Sequence, residues 1–238
     1  MKLTKYGKKE WGLTTLIALP LVLICIIGGI LSEENSAAGY LLAILVFIVW
    51  VAGVGFFRDP ERNVPENDNL ILAPADGVVR DIELISAADC NQLSSVFEGK
   101  DMLRIGIFLS VFDVHVNRAP CPLTVKLREH KDGMYLDARD PRAGKENESL
   151  MLAGIANAGG CAFPIAIKQV SGAIARRIVC DAVPGDELKR GERYGMIKYG
   201  SRTELYLPAK SDLLDIKVRV GDRVQGGLTV MAEFSGKA

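Results

Sequence analysis

The sequence predicts a mainly β domain, of barrel or sandwich type, preceded by a two-helix hairpin in a membrane. Three observations carry this. Two long uncharged apolar stretches lie at the N-terminus, Gly12 to Leu31 and Ser36 to Phe57. After Phe57 helical periodicity is scarce, and short apolar runs alternate with Gly, Pro and Asp punctuation at intervals of about ten residues. The chain carries 29 basic and 29 acidic side chains, a balance that excludes the basic surplus a nucleic-acid binder needs.

Each apolar stretch is long enough to cross a hydrocarbon core as a helix. A secretory signal would be shorter and would not be followed at once by a second span. Only Ser32-Glu33-Glu34-Asn35 separates the two, which makes them a hairpin. Lys2, Lys5, Lys8 and Lys9 precede the first stretch, Arg58 and Arg62 follow the second, and the connection has no basic residue. This bias places both ends, and the domain beyond, on the cytoplasmic side of the cell membrane. Pro20 and Gly28-Gly29 are tolerated in a helix surrounded by lipid. The alternative is a monotopic hairpin that dips into one leaflet.

The domain boundary predicted is therefore residues 1–57 for the anchor and 58–238 for the β domain. The anchor carries net charge +1 and the rest −1. The five cysteines (Cys25, Cys90, Cys121, Cys161, Cys180) form no C-x-x-C pair, and there are two histidines. This argues against a disulfide framework or a metal centre and for reduced thiols.

Within the β domain the strand-like runs are Leu70–Leu72, Val78–Ile85, Leu103–Val111, Ala162–Val170, Ala173–Val179, Gly195–Tyr199, Thr203–Leu207 and Ile216–Val220. Arg139 to Ser149 reads as a polar loop. Gly185-Asp186-Glu187-Leu188-Lys189-Arg190-Gly191 and Gly221-Asp222-Arg223-Val224-Gln225-Gly226-Gly227 share the pattern G-D-x-[LV]-x-x-G. Lipoyl-like barrel-sandwich hybrids use such turns. The alternative is two unrelated β-turns. No lysine stands at a hairpin tip, so a swinging-arm carrier is disfavoured.

Three segments suggest chemistry. In Phe112-Asp113-Val114-His115-Val116-Asn117-Arg118-Ala119-Pro120, period-2 alternation puts Asp113, His115 and Asn117 on one strand face. That face is either solvated or presents a proton-transfer histidine. Asp76, in Pro74-Ala75-Asp76-Gly77, is either a turn aspartate or the carboxylate that orients such a histidine. Gly200-Ser201 is either a hairpin turn or a site of backbone chemistry. A serine hydroxyl attacks the preceding carbonyl when the backbone is held in an unusual conformation, which glycine permits.

Taken in order, P-A-D-G-V-V (74–79), F-D-V-H-V-N-R-A-P (112–120), A-R-R-I (175–178) and Y-G-S-R-T-E-L-Y-L-P (199–208) resemble phosphatidylserine decarboxylase, in particular its short, archaeal-type form. The resemblance covers roughly residues 58–234. Longer members of that family have L-G-S-T where this chain has Y-G-S-R. They also have a second histidine where this chain has Phe112, so a role for that histidine does not carry over.

The resemblance implies cleavage between Gly200 and Ser201, giving a β chain (1–200) and an α chain (201–238) that stay together as a heterodimer. It implies that Asp76, His115 and Ser201 act in self-processing and that Ser201 becomes a covalent pyruvoyl cofactor. The pyruvoyl would form a Schiff base with the headgroup amine of phosphatidylserine, and His115 would return a proton after CO₂ leaves. Arg118, Arg176, Arg177 and Arg202 are candidate partners of the lipid's phosphate or carboxylate. No metal is implied, and a homo-oligomer is left open. His130, among Arg128, Glu129, Lys131 and Asp132, reads as a solvated surface histidine. Two other readings remain. One is a decarboxylase of a related lipid such as archaetidylserine. The other is a non-enzymatic, membrane-anchored β scaffold, which leaves the ordered Asp76, His115 and Gly200-Ser201 set without a purpose.

Overall fold

The computed structural model describes residues 2–32, 35–140, 142–173, 177–198, 200–209 and 214–235. It divides into two compact units, Met1–Glu61 and Arg62–Ala238.

The first unit is a helical hairpin, α1 (Lys8–Leu31) and α2 (Ser36–Phe56). Both helices are long and apolar enough to cross a membrane. Their outward side chains are large and apolar, with Leu16 72% and Leu41 68% exposed. Such a surface suits a lipid environment, where a helix satisfies its own backbone groups. Small residues form the seam between the helices. A Cβ on Gly39 would lie 2.6 Å from the Gly29 Cα, and Cys25 and Ala43 are buried nearby. The Trp50 indole N–H donates to Thr15 Oγ1 at 3.0 Å.

The second unit is built from β1 (Leu70–Leu72), β2 (Gly77–Ile85), β3 (Met102–Leu109), β4 (Val116–Arg118), β5 (Leu123–Lys131), β6 (Ser149–Ala158), β7 (Cys161–Val170), β8 (Ile178–Cys180), β9 (Glu187–Leu188), β10 (Arg193–Ile197), β11 (Ser201–Pro208), β12 (Leu214–Ile216), β13 (Arg223–Val224) and β14 (Val230–Phe234). One curled antiparallel sheet runs β13-β2-β3-β11-β7-β6-β5-β9. Two three-stranded sheets, β1-β14-β12 and β4-β10-β8, complete the fold. The main core lies on the concave side and includes Ile71, Ile105, Ile107, Leu152, Ile165, Leu205, Leu207 and Met231. A smaller cluster around Phe97, Met102 and Tyr206 lies elsewhere.

The two G-D-x-[LV]-x-x-G segments are copies of one device. Gly185 N–H donates to the Val125 carbonyl and Gly221 N–H to the Val79 carbonyl. Gly191 N–H donates to Ala119 and Gly227 N–H to Ala73, each at 2.8 Å. Asp186 and Asp222 each cap the backbone three residues earlier, at 2.9 and 2.8 Å. The φ angles agree too, +101° at Gly185 against +99° at Gly221, and +73° at Gly191 against +75° at Gly227. These values need glycine in both copies. The segments 73–79 and 119–125 therefore play the same part. They also bond to each other reciprocally, Leu72 N–H to the Pro120 carbonyl and Arg118 N–H to the Pro74 carbonyl, both at 2.9 Å. This crossing ties the segment that holds Asp76 to the one that follows His115.

Candidate active site

Ser201 is the first residue of β11, which lies between β3 and β7 in the middle of the large sheet. Side chains alternate along a strand. Leu205 and Leu207 enter the main core, so Ser201 and Thr203 share that face. Ser201 is fully buried, and its Oγ makes no hydrogen bond among the described residues. A buried hydroxyl with no partner is costly, and in native proteins such a group asks for an explanation. The preceding residue, Gly200, has φ +64°, a left-handed conformation that glycine adopts readily and other residues do not. Tyr199 lies outside the described residues.

The histidine segment differs from the continuous strand that alternation predicts. Only Val116–Arg118 is strand. Before it, Ser110 to Asp113 form a turn. The Asp113 carboxylate accepts from the Ser110 N–H and hydroxyl, both at 2.8 Å, and Arg223 donates to its other oxygen at 2.6 Å. A short polar side chain that bonds its own backbone outcompetes the strand ladder here. Phe112 is thrown out to 83% exposure. The polar face is not solvated: Asp113, His115 and Asn117 are all buried.

His115 is completely buried, with Nδ1 3.0 Å from the Asp113 carbonyl oxygen. A carbonyl only accepts, so Nδ1–H donates to it, and Nε2 is the nitrogen left to exchange a proton. Two residues on, Asn117 donates to Thr203 Oγ1 at 3.1 Å and accepts from Gln169 Nε2 at 2.8 Å. Asn117 thus lies over β11 and β7. Its strand pairs with β10, Met196 opposite Val116, and Ile197 N–H donates to the His115 carbonyl at 3.3 Å. Since β10 leads through a short turn into Ser201, His115 lies at the same end of the domain as Ser201.

Asp76 sits in the turn before β2, and Arg118 N–H and Asn117 Nδ2 both reach the Pro74 carbonyl. The crossing sets the Pro74 carbonyl against Asn117 and Arg118, with Pro74 two residues from Asp76 and Asn117 two residues from His115. The carboxylate is buried. It receives a two-pronged ion pair from Arg62, at 2.6 and 2.8 Å, and the Gly226 N–H at 2.8 Å. Arg62 also donates to the Gly226 carbonyl. Fork-to-fork pairing fixes position as well as charge. Arg62 had entered the sequence reading only as a flanking positive charge, because nothing local links it to Asp76.

The sequence matches the family model of phosphatidylserine decarboxylase over residues 52–232. The chain belongs to the phosphatidylserine decarboxylase family. Curated relatives agree. Phosphatidylserine decarboxylase proenzyme of Carboxydothermus hydrogenoformans is 40% identical over 87% of this chain and 92% of its own length. The proenzymes of Symbiobacterium thermophilum and Geobacter metallireducens are 43% and 40% identical, over 83% and 88% of this chain and 84% and 89% of theirs.

Beside Gly200, a member of this family needs room for a headgroup. A cavity of about 320 Å³ opens there, walled by Leu109, Ser110, Val111, Arg139, Ala173 and Gly200. The four candidate arginines take different places. Arg177 is exposed, and its carbonyl accepts from the Lys198 N–H at 3.2 Å, near Ser201 in sequence. Arg118 is buried and donates to the Gly191 carbonyl at 3.1 Å. Arg176 lies outside the described residues. Arg202 lies on the opposite face of β11 from Ser201. Its guanidinium grips Asp81 twice at 2.7 Å and Glu204 at 2.8 Å. Burial pushes the Asp81 carboxyl up, but the Arg202 hydrogen bonds and the charges of Arg202 and Arg104 outweigh it and hold it below its ordinary value. Burial, and the charge of Glu204, push Tyr206 well up. His130 is half-exposed, with Nε2 3.1 Å from Glu148 Oε1.

Proposed function

We propose that this chain is a self-processing proenzyme that becomes a pyruvoyl-dependent decarboxylase, converting phosphatidylserine to phosphatidylethanolamine. The observation that carries the reading is Ser201 itself. Its hydroxyl is buried and makes no hydrogen bond among the described residues, it follows a glycine at positive φ, and the strand before it bonds to the His115 carbonyl.

In self-cleavage the Ser201 Oγ attacks the Gly200 carbonyl carbon, and the C–N bond of that peptide breaks. The hydroxyl proton passes through His115 Nε2 to the departing nitrogen, leaving an ester and a free amine. Loss of the Ser201 Cα proton then breaks the Cβ–Oγ bond and frees the Gly200 carboxylate. Water replaces the nitrogen of the resulting enamine and ammonia departs, so one water is consumed and one ammonia released. Asp76, fixed in position by Arg62, supplies the negative charge that faces the imidazolium.

The buried start of β11 fits a pyruvoyl group, since the atoms that become it are already enclosed by β3, β7 and β4. When present, that group supplies the electron sink for loss of CO₂. The chain's residues do the rest. His115, enclosed away from bulk water, returns a proton to the headgroup carbon. Arg177, the exposed one of the candidate arginines that are described, pairs with the lipid phosphate. The hairpin holds the domain on the cytoplasmic face of the cell membrane, where it meets its substrate in two dimensions. The α and β chains remain one heterodimer because their strands share sheets.

The test is Ser201→Ala in the full-length chain. Wild type should run as two fragments under denaturing conditions and convert phosphatidylserine in vesicles to phosphatidylethanolamine. The variant should stay one chain and form no product. A variant that is still cut after residue 200, or still releases CO₂, would contradict the reading. Archaetidylserine vesicles assayed in parallel identify the lipid class.

A further inference from the structure

Ser171 follows the last residue of β7. It is completely buried, and its Oγ, like that of Ser201, makes no hydrogen bond among the described residues. Its place follows from the register. β11 pairs with β7 through Thr203 opposite Gln169 and Arg202 opposite Val170. One step further sets Ser201 opposite Ser171 and Gly200 opposite Gly172. Two contacts agree with that continuation. The Ser171 N–H donates to the Glu148 carbonyl at 2.9 Å, prolonging the ladder with β6. A Cβ built on Gly172 would lie 2.4 Å from the Gly200 carbonyl oxygen, so the two backbones touch.

Residues directly opposite in an antiparallel pair point to the same face. Thr203, Gln169 and Asn117 form one hydrogen-bonded rung on the inner face. Two residues toward the β11 start, the same register continued sets Ser201 opposite Ser171, with His115 two residues before Asn117 in the chain. The lower rung is satisfied, whereas in the upper one neither serine hydroxyl makes a hydrogen bond among the described residues.

We propose that Ser171 is a further residue of the self-cleavage machinery. Its hydroxyl donates to Ser201 Oγ as that atom moves onto the Gly200 carbonyl, so that the Ser201 proton is directed at His115 Nε2. The bond is made on the way to the ester and is absent in the resting proenzyme. Interactions realised only then accelerate the step, whereas those present at rest do not. No atom is transferred to or from Ser171. The inference rests on the reading that the chain is cut at Gly200–Ser201.

The experiment compares wild type and Ser171→Ala in the full-length chain, following the rate of fragment appearance by mass spectrometry and Tm by calorimetry. The expected result is cleavage slowed at least tenfold with Tm unchanged or raised, because the variant removes a buried hydroxyl that has no partner at rest. Hydroxylamine, which splits an ester once it has formed, should not restore the rate. A wild-type rate in Ser171→Ala overturns the proposal. So does a slower rate with a lowered Tm, which marks a packing role, or full rescue by hydroxylamine, which places the defect after the ester. An uncut wild type would sink the cleavage reading itself, which distinguishes the two failures.

Discussion

Arg202 shows how a single residue next to the reacting centre can belong to a different system. One residue after Ser201, it faces away and closes a charge cluster with Asp81, Glu204 and Arg104 on the outer side of the sheet. Glu204 is nearly inaccessible, with its side chain 1% exposed. Removing one partner of such a buried group leaves an uncompensated charge and costs about 3–5 kcal/mol. Arg202→Met should lower stability by that order in a denaturant titration, and a loss under about 1 kcal/mol would contradict the assignment. The pH dependence follows the lowered Asp81 pKa. A carboxylate with a depressed folded value contributes its full stability above its unfolded value, near 3.8, and loses it as pH falls through the folded one. Asp81→Asn should therefore flatten the acid limb of stability in that window.

At the scale of elements, the turns and strand ends matter more than the strands they join. Gly172 lies against the Gly200 carbonyl, the group that Ser201 attacks in the proposed self-cleavage. Gly172→Ala would press a methyl into that oxygen and displace it. Overpacking costs about 1–3 kcal/mol, and here the shift falls on the electrophile. Self-cleavage should slow more than tenfold, read as fragment appearance over hours; wild-type kinetics would show that the carbonyl need not be held there. Local motifs such as Pro74-Ala75-Asp76-Gly77 and Gly200-Ser201 were legible in the sequence because their turn chemistry is written in adjacent residues. Two long strands were not. Leu123–Lys131 ends in a run of charge, and Ser149–Ala158 is rich in Leu, Met and Ala, which favour helix. Pairing in the sheet overrides both propensities. The turn at Ser110–Asp113 was misread as strand because alternation says nothing of an aspartate that caps its own backbone. Ser171 was invisible, since only the register of β7 against β11 places it opposite Ser201.

The whole molecule explains how a cut chain would remain one protein. The segment after residue 200 supplies β11 to the centre of the large sheet, β13 to its edge beside β2, and β14 to β1. Its Leu205, Leu207, Val224 and Met231 lie in the main core with residues that precede the cut. Burial of this kind contributes about 1.5–3 kcal/mol per large side chain, so a 38-residue piece released by a cut after residue 200 would be held without a covalent link. The central claim is most directly tested by collecting wild-type protein as a single species in a native detergent column and weighing its chains under denaturing conditions. The account predicts two chains, residues 1–200 and 201–238, the smaller one lighter than a serine-ended fragment by the mass of ammonia. One intact chain, a cut elsewhere, or a small fragment that still begins with serine would contradict it.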